Sequence, residues 1–209
     1  MEQLAVQPAN LPSFDRDAFV QQVLAQVKGH LTEGEGLALL DASATWPGLG
    51  CICEIGAMMG LSTAFLAQGS KLSSRGPVVS IDTFIALPRN LAQFPFPGLA
   101  KDGSYYARFE TNMRALGLWG SVKPIISNVK DVKWGRRNYP IRGLFIDGDH
   151  EYESVKADFY HFYPWMVRGG WVAFHDRTQA PGVAQLLREL ESQYEFMHQS
   201  RELQFLKVP

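Results

Sequence analysis

Residues 48–84 read GLGCICEIGAMMGLSTAFLAQGSKLSSRGPVVSIDTF, and their pattern decides the fold. GLGCICEIG is a short, nearly unbroken apolar run that closes on Glu54 and Gly56, as expected of a strand buried on both faces. LSTAFLAQ is helical in composition, and GPVVSIDTF is a second short β-branched run that ends in Asp82. Together they form a β-α-β unit, the building block of a parallel sheet. The chain's two cysteines, Cys51 and Cys53, lie in the first run at a spacing that puts both on one side of the strand. They read as small apolar fillers, since a zinc site needs a second ligand pair and a redox pair needs C-x-x-C.

On the N-terminal side, Val20, Val23, Leu24 and Val27 repeat as one face of a helix packing on something larger, and this face is also a candidate surface for a partner subunit. On the C-terminal side, Thr83 to about Gly103 carries Pro88, Pro95, Pro97, Phe94 and Phe96, too much proline for a helix or a central strand, and reads as a surface excursion. A helix from about Tyr105 to Leu116 and the strand SVKPIIS follow. RGLFID, Arg142 to Asp147, is a fourth strand; Tyr152, Val155, Phe159, Phe162 and Met166 mark one face of the next helix, which Gly169 and Gly170 are expected to stop. WVAFHD is a fifth strand, Val183, Leu186, Leu187 and Leu190 line a last helix, and YEFMHQS and RELQFLKVP form a closing pair of strands. Strands alternating with helices and then a helix-free pair predict an α/β fold. It is a Rossmann-like, doubly wound, seven-stranded, mostly parallel sheet with an antiparallel C-terminal edge and helices on both faces. The expected organisation is an N-terminal helical extension over 1–44 packed on a domain over 45–209, with 83–104 as an insertion.

The chain's 209 residues suit one large domain, on a prior of roughly 150 per domain, and 46% hydrophobic content supports a substantial core. Twenty basic against 21 acidic residues give no field that would draw the protein to nucleic acid or to an anionic bilayer, so a small-molecule partner is favoured. MEQLAVQPANLPSF has neither a basic n-region nor a long apolar core, and no stretch of about 18 apolar residues occurs, so a soluble cytoplasmic protein is expected.

In a doubly wound sheet, ligands sit at the carboxyl ends of the strands, which selects Glu54, Gly56, Asp82, Ser127, Asn128, Asp147 and Asp176. Glu54-x-Gly56-x-x-x-Gly60-x-Ser62 closes the first strand and opens the first helix, where glycines let backbone approach a ligand and free N–H groups face it. The spacing is not the G-x-G-x-x-G of dinucleotide binders, and the acidic strand end suits a cationic or amine-bearing ligand better than a pyrophosphate. Asp82, 26 positions after Gly56, stands where an acid binds ribose hydroxyls in nucleoside folds.

The densest signal is FIDGDHEYESVKADFYHFYPWMVRGGWVAFHD, residues 145–176. Asp147 and Asp176 end strands expected to be neighbours, so their carboxylates can converge. Two adjacent anions call for a cation, such as Mg²⁺. His175 points away from Asp176 if the strand still alternates there; if the strand has ended, it is a third ligand that tilts the choice toward Mn²⁺, Fe²⁺ or Zn²⁺. His150, in a loop just past a strand end, is the candidate general base. Lys130, Lys133, Arg136 and Arg137 read as a solvated basic face.

These motifs, Glu54-Ile-Gly-x-x-x-Gly60-Leu-Ser-Thr, Ser80-Ile-Asp82, Ile146-Asp-Gly-Asp-His150 and Gly169-Gly-x-x-x-Phe-His-Asp176, together resemble the class I S-adenosylmethionine-dependent methyltransferases. The IDGDH-containing segment is similar to the macrocin-type and catechol-type O-methyltransferases, and the resemblance covers about residues 45–190. It implies that Gly56, Ala57, Gly60 and Ser62 hold the methionine part of S-adenosylmethionine, with Glu54 near its amino group. Asp82 and Thr83 would lie at the ribose and Asn128 at the adenine, and Asp147 would border both cofactor and metal. It further implies a divalent metal on Asp147, His175 and Asp176, with His150 as catalytic base. The chain departs from many relatives in having His-Asp where they carry acids, and in ISNVKDV after the third strand. The expected reaction is O-methylation of a small sugar, phenol or natural-product hydroxyl, with Phe94, Phe96, Tyr105 and Tyr106 lining an acceptor flap over 83–109. Its rivals are a nicotinamide-dependent oxidoreductase, disfavoured by the glycine spacing, and a non-catalytic cofactor-binding subunit of the same fold.

Overall fold

The computed structural model describes residues 13–85, 103–135 and 139–209, with only the backbone at 198 and 199. Seven strands form one sheet: β1 (Cys51–Ile55), β2 (Val78–Asp82), β3 (Val122–Ile126), β4 (Ile141–Ile146), β5 (Met166–Phe174), β6 (Glu195–Gln199) and β7 (Gln204–Lys207). Their order is β3-β2-β1-β4-β5-β7-β6. The first five strands pair in parallel, and β7 is antiparallel to both β5 and β6, as the sequence implies. The sheet reverses its direction of growth between β1 and β4, so a crevice opens at their carboxyl ends.

Among the described residues six α-helices accompany the sheet: α1 (Arg16–Gln26), α2 (Glu33–Thr45), α3 (Leu61–Ser73), α4 (Tyr106–Ala115), α5 (Tyr152–Phe162) and α6 (Pro181–Leu190). Strand side chains alternate between faces, which divides the core in two. Ile52, Val78, Phe145, Trp171 and Ala173 meet α1–α4 on one side, whereas Cys51, Cys53, Ile55, Leu144 and Val172 meet α5 and α6 on the other. Both cysteines are therefore buried fillers, with thiols pushed up from the ordinary value by burial. Among the described residues no helix is long and apolar enough to cross a membrane.

Two features differ from the sequence reading. Helix α2 was not anticipated, because Gly34 and Gly36 in its first turns lower helix propensity. Those small residues serve packing: a Cβ on Gly36 would stand 2.5 Å from the Phe65 ring of α3, and one on Gly69 would strike Ser43 and the α2 backbone. The helix after β4 ends at Phe162 rather than at Gly169 and Gly170. Pro164 follows in a single 3-10 turn, and Met166 through Gly170 open β5. Val20, Val23 and Val27 of the α1 stripe are buried in this chain's own core, as a helix packing on something larger requires.

The base of the excursion is pinched. Ile85 bridges Ser104, and the Tyr105 N–H donates to the Phe84 carbonyl at 2.7 Å. Pro88, Phe94, Pro95, Phe96 and Pro97 lie outside the described residues. Tyr105 is buried, and the half-buried Tyr106 packs edge-on against Phe84.

Candidate functional site

Strand register assembles the site. Ile81, Ile55, Ile146 and Phe174 stand side by side in β2, β1, β4 and β5. One step further along the four strands come Asp82, Gly56, Asp147 and His175, which therefore share one rim. The parallel ladder continues just past the strands: N–H groups of Gly56, Asp147 and His175 donate to the carbonyls of Ile81, Ile55 and Ile146 at 2.9–3.1 Å.

At the β1 corner, Gly56 has φ +85° and a Cβ there would lie 2.1 Å from the Asp147 carbonyl oxygen, so the β1 and β4 loops touch through backbone. Helix α3 begins at Gly60 with no side-chain cap, leaving its first-turn N–H groups for an anionic partner such as a carboxylate. Beneath it, the fully buried Glu54 accepts hydrogen bonds from the Ser62, Thr63 and Ser80 hydroxyls, each at 2.6 Å. Glu54 and Ser62 thus tie β1, β2 and α3 together from below. Burial pushes the Glu54 carboxyl up to about 7, against the lowering effect of its three donors.

Asp82 closes the same loop from the side. Its Oδ2 accepts from the N–H groups of Ala57 (2.8 Å) and Met58 (2.7 Å), and Oδ1 accepts from Phe84 N–H (2.7 Å). A carboxylate has about four acceptor sites, so one remains on this acid for a ribose hydroxyl. Thr83 and Asn128 are exposed beyond it, and Asn128 Oδ1 accepts from the Lys130 N–H. Of the basic group, Lys130 and Lys133 are exposed; Arg136 and Arg137 lie outside the described residues.

At the β4–β5 corner the acids and imidazoles converge. Strand β5 ends at Phe174, and Asp176 adopts φ +55°, a left-handed turn that swings its carboxylate back to the side His175 faces. His175 Nδ1 lies 3.2 Å from Asp147 Oδ1 and 3.4 Å from Asp176 Oδ1. One donor atom from each of Asp147, His175 and Asp176 falls within 4.8 Å of the others. Two carboxylate oxygens and an imidazole nitrogen form a set that suits a divalent ion of the Mn²⁺, Fe²⁺ or Zn²⁺ type. His150 completes the group, its Nε2 3.3 Å from Asp176 Oδ2 and 3.7 Å from Asp147 Oδ1.

The charges are mutually dependent. Burial pushes the Asp147 carboxyl up, but the two imidazoles outweigh it and hold the group below its ordinary value. Asp176 is raised by burial, with Asp147 adding to the shift, as expected when like charges share a site. Asp147 lifts His150 above its usual value, with burial opposing. Burial lowers His175, yet Asp147, Asp176 and Glu35 together push it up to about 9.

A cleft of about 300 Å³ opens beside His150 and Asp176, lined also by Glu151, Gln179 and the first residues of α6. Two buried acids near this corner escaped the sequence reading. Glu35 comes from α2, and Glu202, from the β6–β7 turn, accepts from Thr178 N–H at 3.0 Å. The Thr32-x-x-Glu35 capping box would have located the start of α2, but not its nearness to His175.

A profile of the methyltransferase domain family matches residues 53–177, more than half of the chain. Among solved structures, the O-methyltransferase from Bacillus cereus in complex with SAH is similar at 16% identity and a TM-score of 0.59, over 95% of this chain and 93% of that one. The O-methyltransferase NovP shares 17% identity at a TM-score of 0.61, over 92% and 78%. TomG from Streptomyces achromogenes, an O-methyltransferase of tomaymycin synthesis solved with SAM, shares 13% at 0.56, over 96% and 92%. The chain belongs to the methyltransferase domain family and has its class I fold.

Proposed function

We propose that this member of the methyltransferase domain family transfers a methyl group from S-adenosylmethionine to a hydroxyl oxygen of a small molecule, with His150 as base and Asp147, His175 and Asp176 holding a divalent cation. The observation that carries this reading is the convergence of two carboxylates and two imidazoles at the β4–β5 corner, beside a cleft and on the same rim as the glycine loop. Similarity to three O-methyltransferases supports oxygen as the methylated atom.

The uncapped start of α3 fits the methionine carboxylate, the remaining acceptor site of Asp82 fits a ribose hydroxyl, and Asn128 stands outward of Asp82, where the adenine would lie. S-adenosylmethionine supplies a methyl carbon already activated by its sulfonium. What is left to the protein is alignment and proton removal. A divalent cation held by Asp147, His175 and Asp176 would lower the pKa of a hydroxyl coordinated to it. His150 then takes the acceptor's proton, and Asp147 and Asp176 stabilise the resulting imidazolium. The segment 1–44 and the excursion at 83–104 are read as additions to this core, with the cleft beside α6 as the acceptor's seat.

The test is His150→Ala. Turnover should fall by about 10³-fold, within the range of a positioned base, while affinity for S-adenosylhomocysteine by calorimetry stays within a factor of two. Equal turnover removes the base assignment. Undiminished activity after EDTA treatment and metal analysis removes the cation.

A further inference from the structure

His175 is 3% exposed, and its second ring nitrogen, Nε2, has no hydrogen-bond partner. A buried ring N–H with no acceptor costs the full desolvation of that group, so such an atom calls for a partner nearby. The carboxylate facing it is that of Glu35, 2% exposed, whose Oε2 lies 3.8 Å away. Glu35 is itself firmly held. Its Oε2 accepts from Thr32 N–H (2.9 Å) and Thr32 Oγ1 (2.7 Å), and its Oε1 accepts from Glu202 N–H (3.0 Å). Three of about four acceptor sites are thereby taken and one is left. The other face of the ring is equally defined, with Nδ1 toward Asp147 and Asp176 and Phe145 packed against the imidazole.

We propose that Glu35 is the positioning residue of His175. It keeps the ring's proton on Nε2 and so leaves Nδ1 as the atom presented to the two acids and to a cation between them. Glu35 lies outside the matched family segment 53–177, on a helix whose other duty is to pack on α3. The N-terminal helices therefore contribute to the site as well as to the core. Only the reference to a cation rests on the function proposed above; the Glu35–His175 contact stands without it.

The experiment uses full-length protein with ¹⁵N-labelled histidine, stripped of metal, and reads the ring N–H protons by NMR. A downfield, slowly exchanging Nε2–H signal, assigned by its loss in His175→Asn, is expected in the wild type. It should also be present in Asp41→Asn, which weakens the Arg16 ion pair on α2 but leaves Glu35 and its partners in place, and should be lost or moved upfield in Glu35→Gln. An unchanged signal in Glu35→Gln, or equal loss in Asp41→Asn, overturns the proposal. If Glu35→Gln does not fold, Glu35→Asp retracts the carboxylate by one methylene and must shift the same signal. Cobalt(II) titration of the same proteins, followed by d–d absorption, should show affinity 10–100-fold weaker in Glu35→Gln than in wild type or Asp41→Asn. Absence of cobalt binding by wild type would sink the cation reading, whereas the NMR arm still decides the role of Glu35.

Discussion

The two ends of β4 treat charge in opposite ways. At its start, Arg142 is fully buried, yet its guanidinium donates to the Ser43 carbonyl (2.8 Å), Ser70 Oγ (3.0 Å) and the Gly50 carbonyl (3.3 Å). Burial lowers its pKa to about 10, so it stays charged at neutral pH, and its donors bind α2, α3 and β1 to the strand. Just past the other end, Asp147 sits among groups whose protonation states depend on one another, and two of the imidazole nitrogens there, His150 Nε2 and His175 Nε2, lack hydrogen-bond partners. One end is a satisfied anchor. The other carries the perturbed, incompletely paired groups that mark a reaction site.

The contrast is broken most directly by exchanging the kind of damage. Asp147→Asn removes one anion from the rim and the partner of both imidazoles. Turnover should drop by about 10⁴-fold, the upper end of what a positioned base supplies, with little change in thermal unfolding. Arg142→Met should do the reverse. It strands three oxygen acceptors and costs roughly 4 kcal/mol, a drop in Tm of roughly 10 °C for a chain of this size, while kcat measured below the transition stays within a factor of about three. If Arg142→Met lost turnover at full stability, or Asp147→Asn unfolded the protein, the division between anchor and reaction end would fail.

The same division explains what was legible in the sequence. Strands buried on both faces announce themselves as unbroken apolar runs, so β1, β2, β4 and the end of β5 could be read directly, and with them the strand-end positions of Asp82, Asp147 and Asp176. Helix α2 was hidden because its glycines answer to the shape of α3, a tertiary demand that local propensity does not record. Met166 fell in register with the face of α5 by coincidence of period, and Pro164 was the stop signal that should have outranked it. The convergence of His175 and Asp176 hung on one backbone angle, the left-handed φ of Asp176, which sequence pattern leaves open. Glu35 was invisible as a site residue because its partner lies 140 positions away and no periodicity links them. The three hydroxyls around Glu54 likewise come from α3 and β2, so its role as an internal tie appeared only with the packing.

Glu54 sharpens the comparison, since it is an acid near the rim that behaves like the Arg142 end: buried and hydrogen-bonded by three hydroxyls of the surrounding elements. Its carboxyl titrates at about 7 in the folded protein against 4.5 ordinarily. Between those values the unfolded chain has released a proton that the native state keeps, so the Glu54 contribution to stability is fully present below about pH 4.5 and is lost as pH rises through about 7. Each tenfold difference in acidity between the folded and unfolded chain is worth about 1.4 kcal/mol, which caps the effect at about 3 kcal/mol. Glu54→Gln retains the shape and hydrogen-bonding capacity but cannot ionise. Asp158, which burial also raises to about 7, titrates in both proteins and cancels from their difference. Denaturant unfolding at pH 5 and pH 8 should therefore show wild type losing more stability than Glu54→Gln across that interval. Parallel curves for the two proteins would mean that Glu54 ionises freely, its three hydroxyl donors outweighing burial, and would move it from the anchoring class to the same electrostatic regime as Asp147.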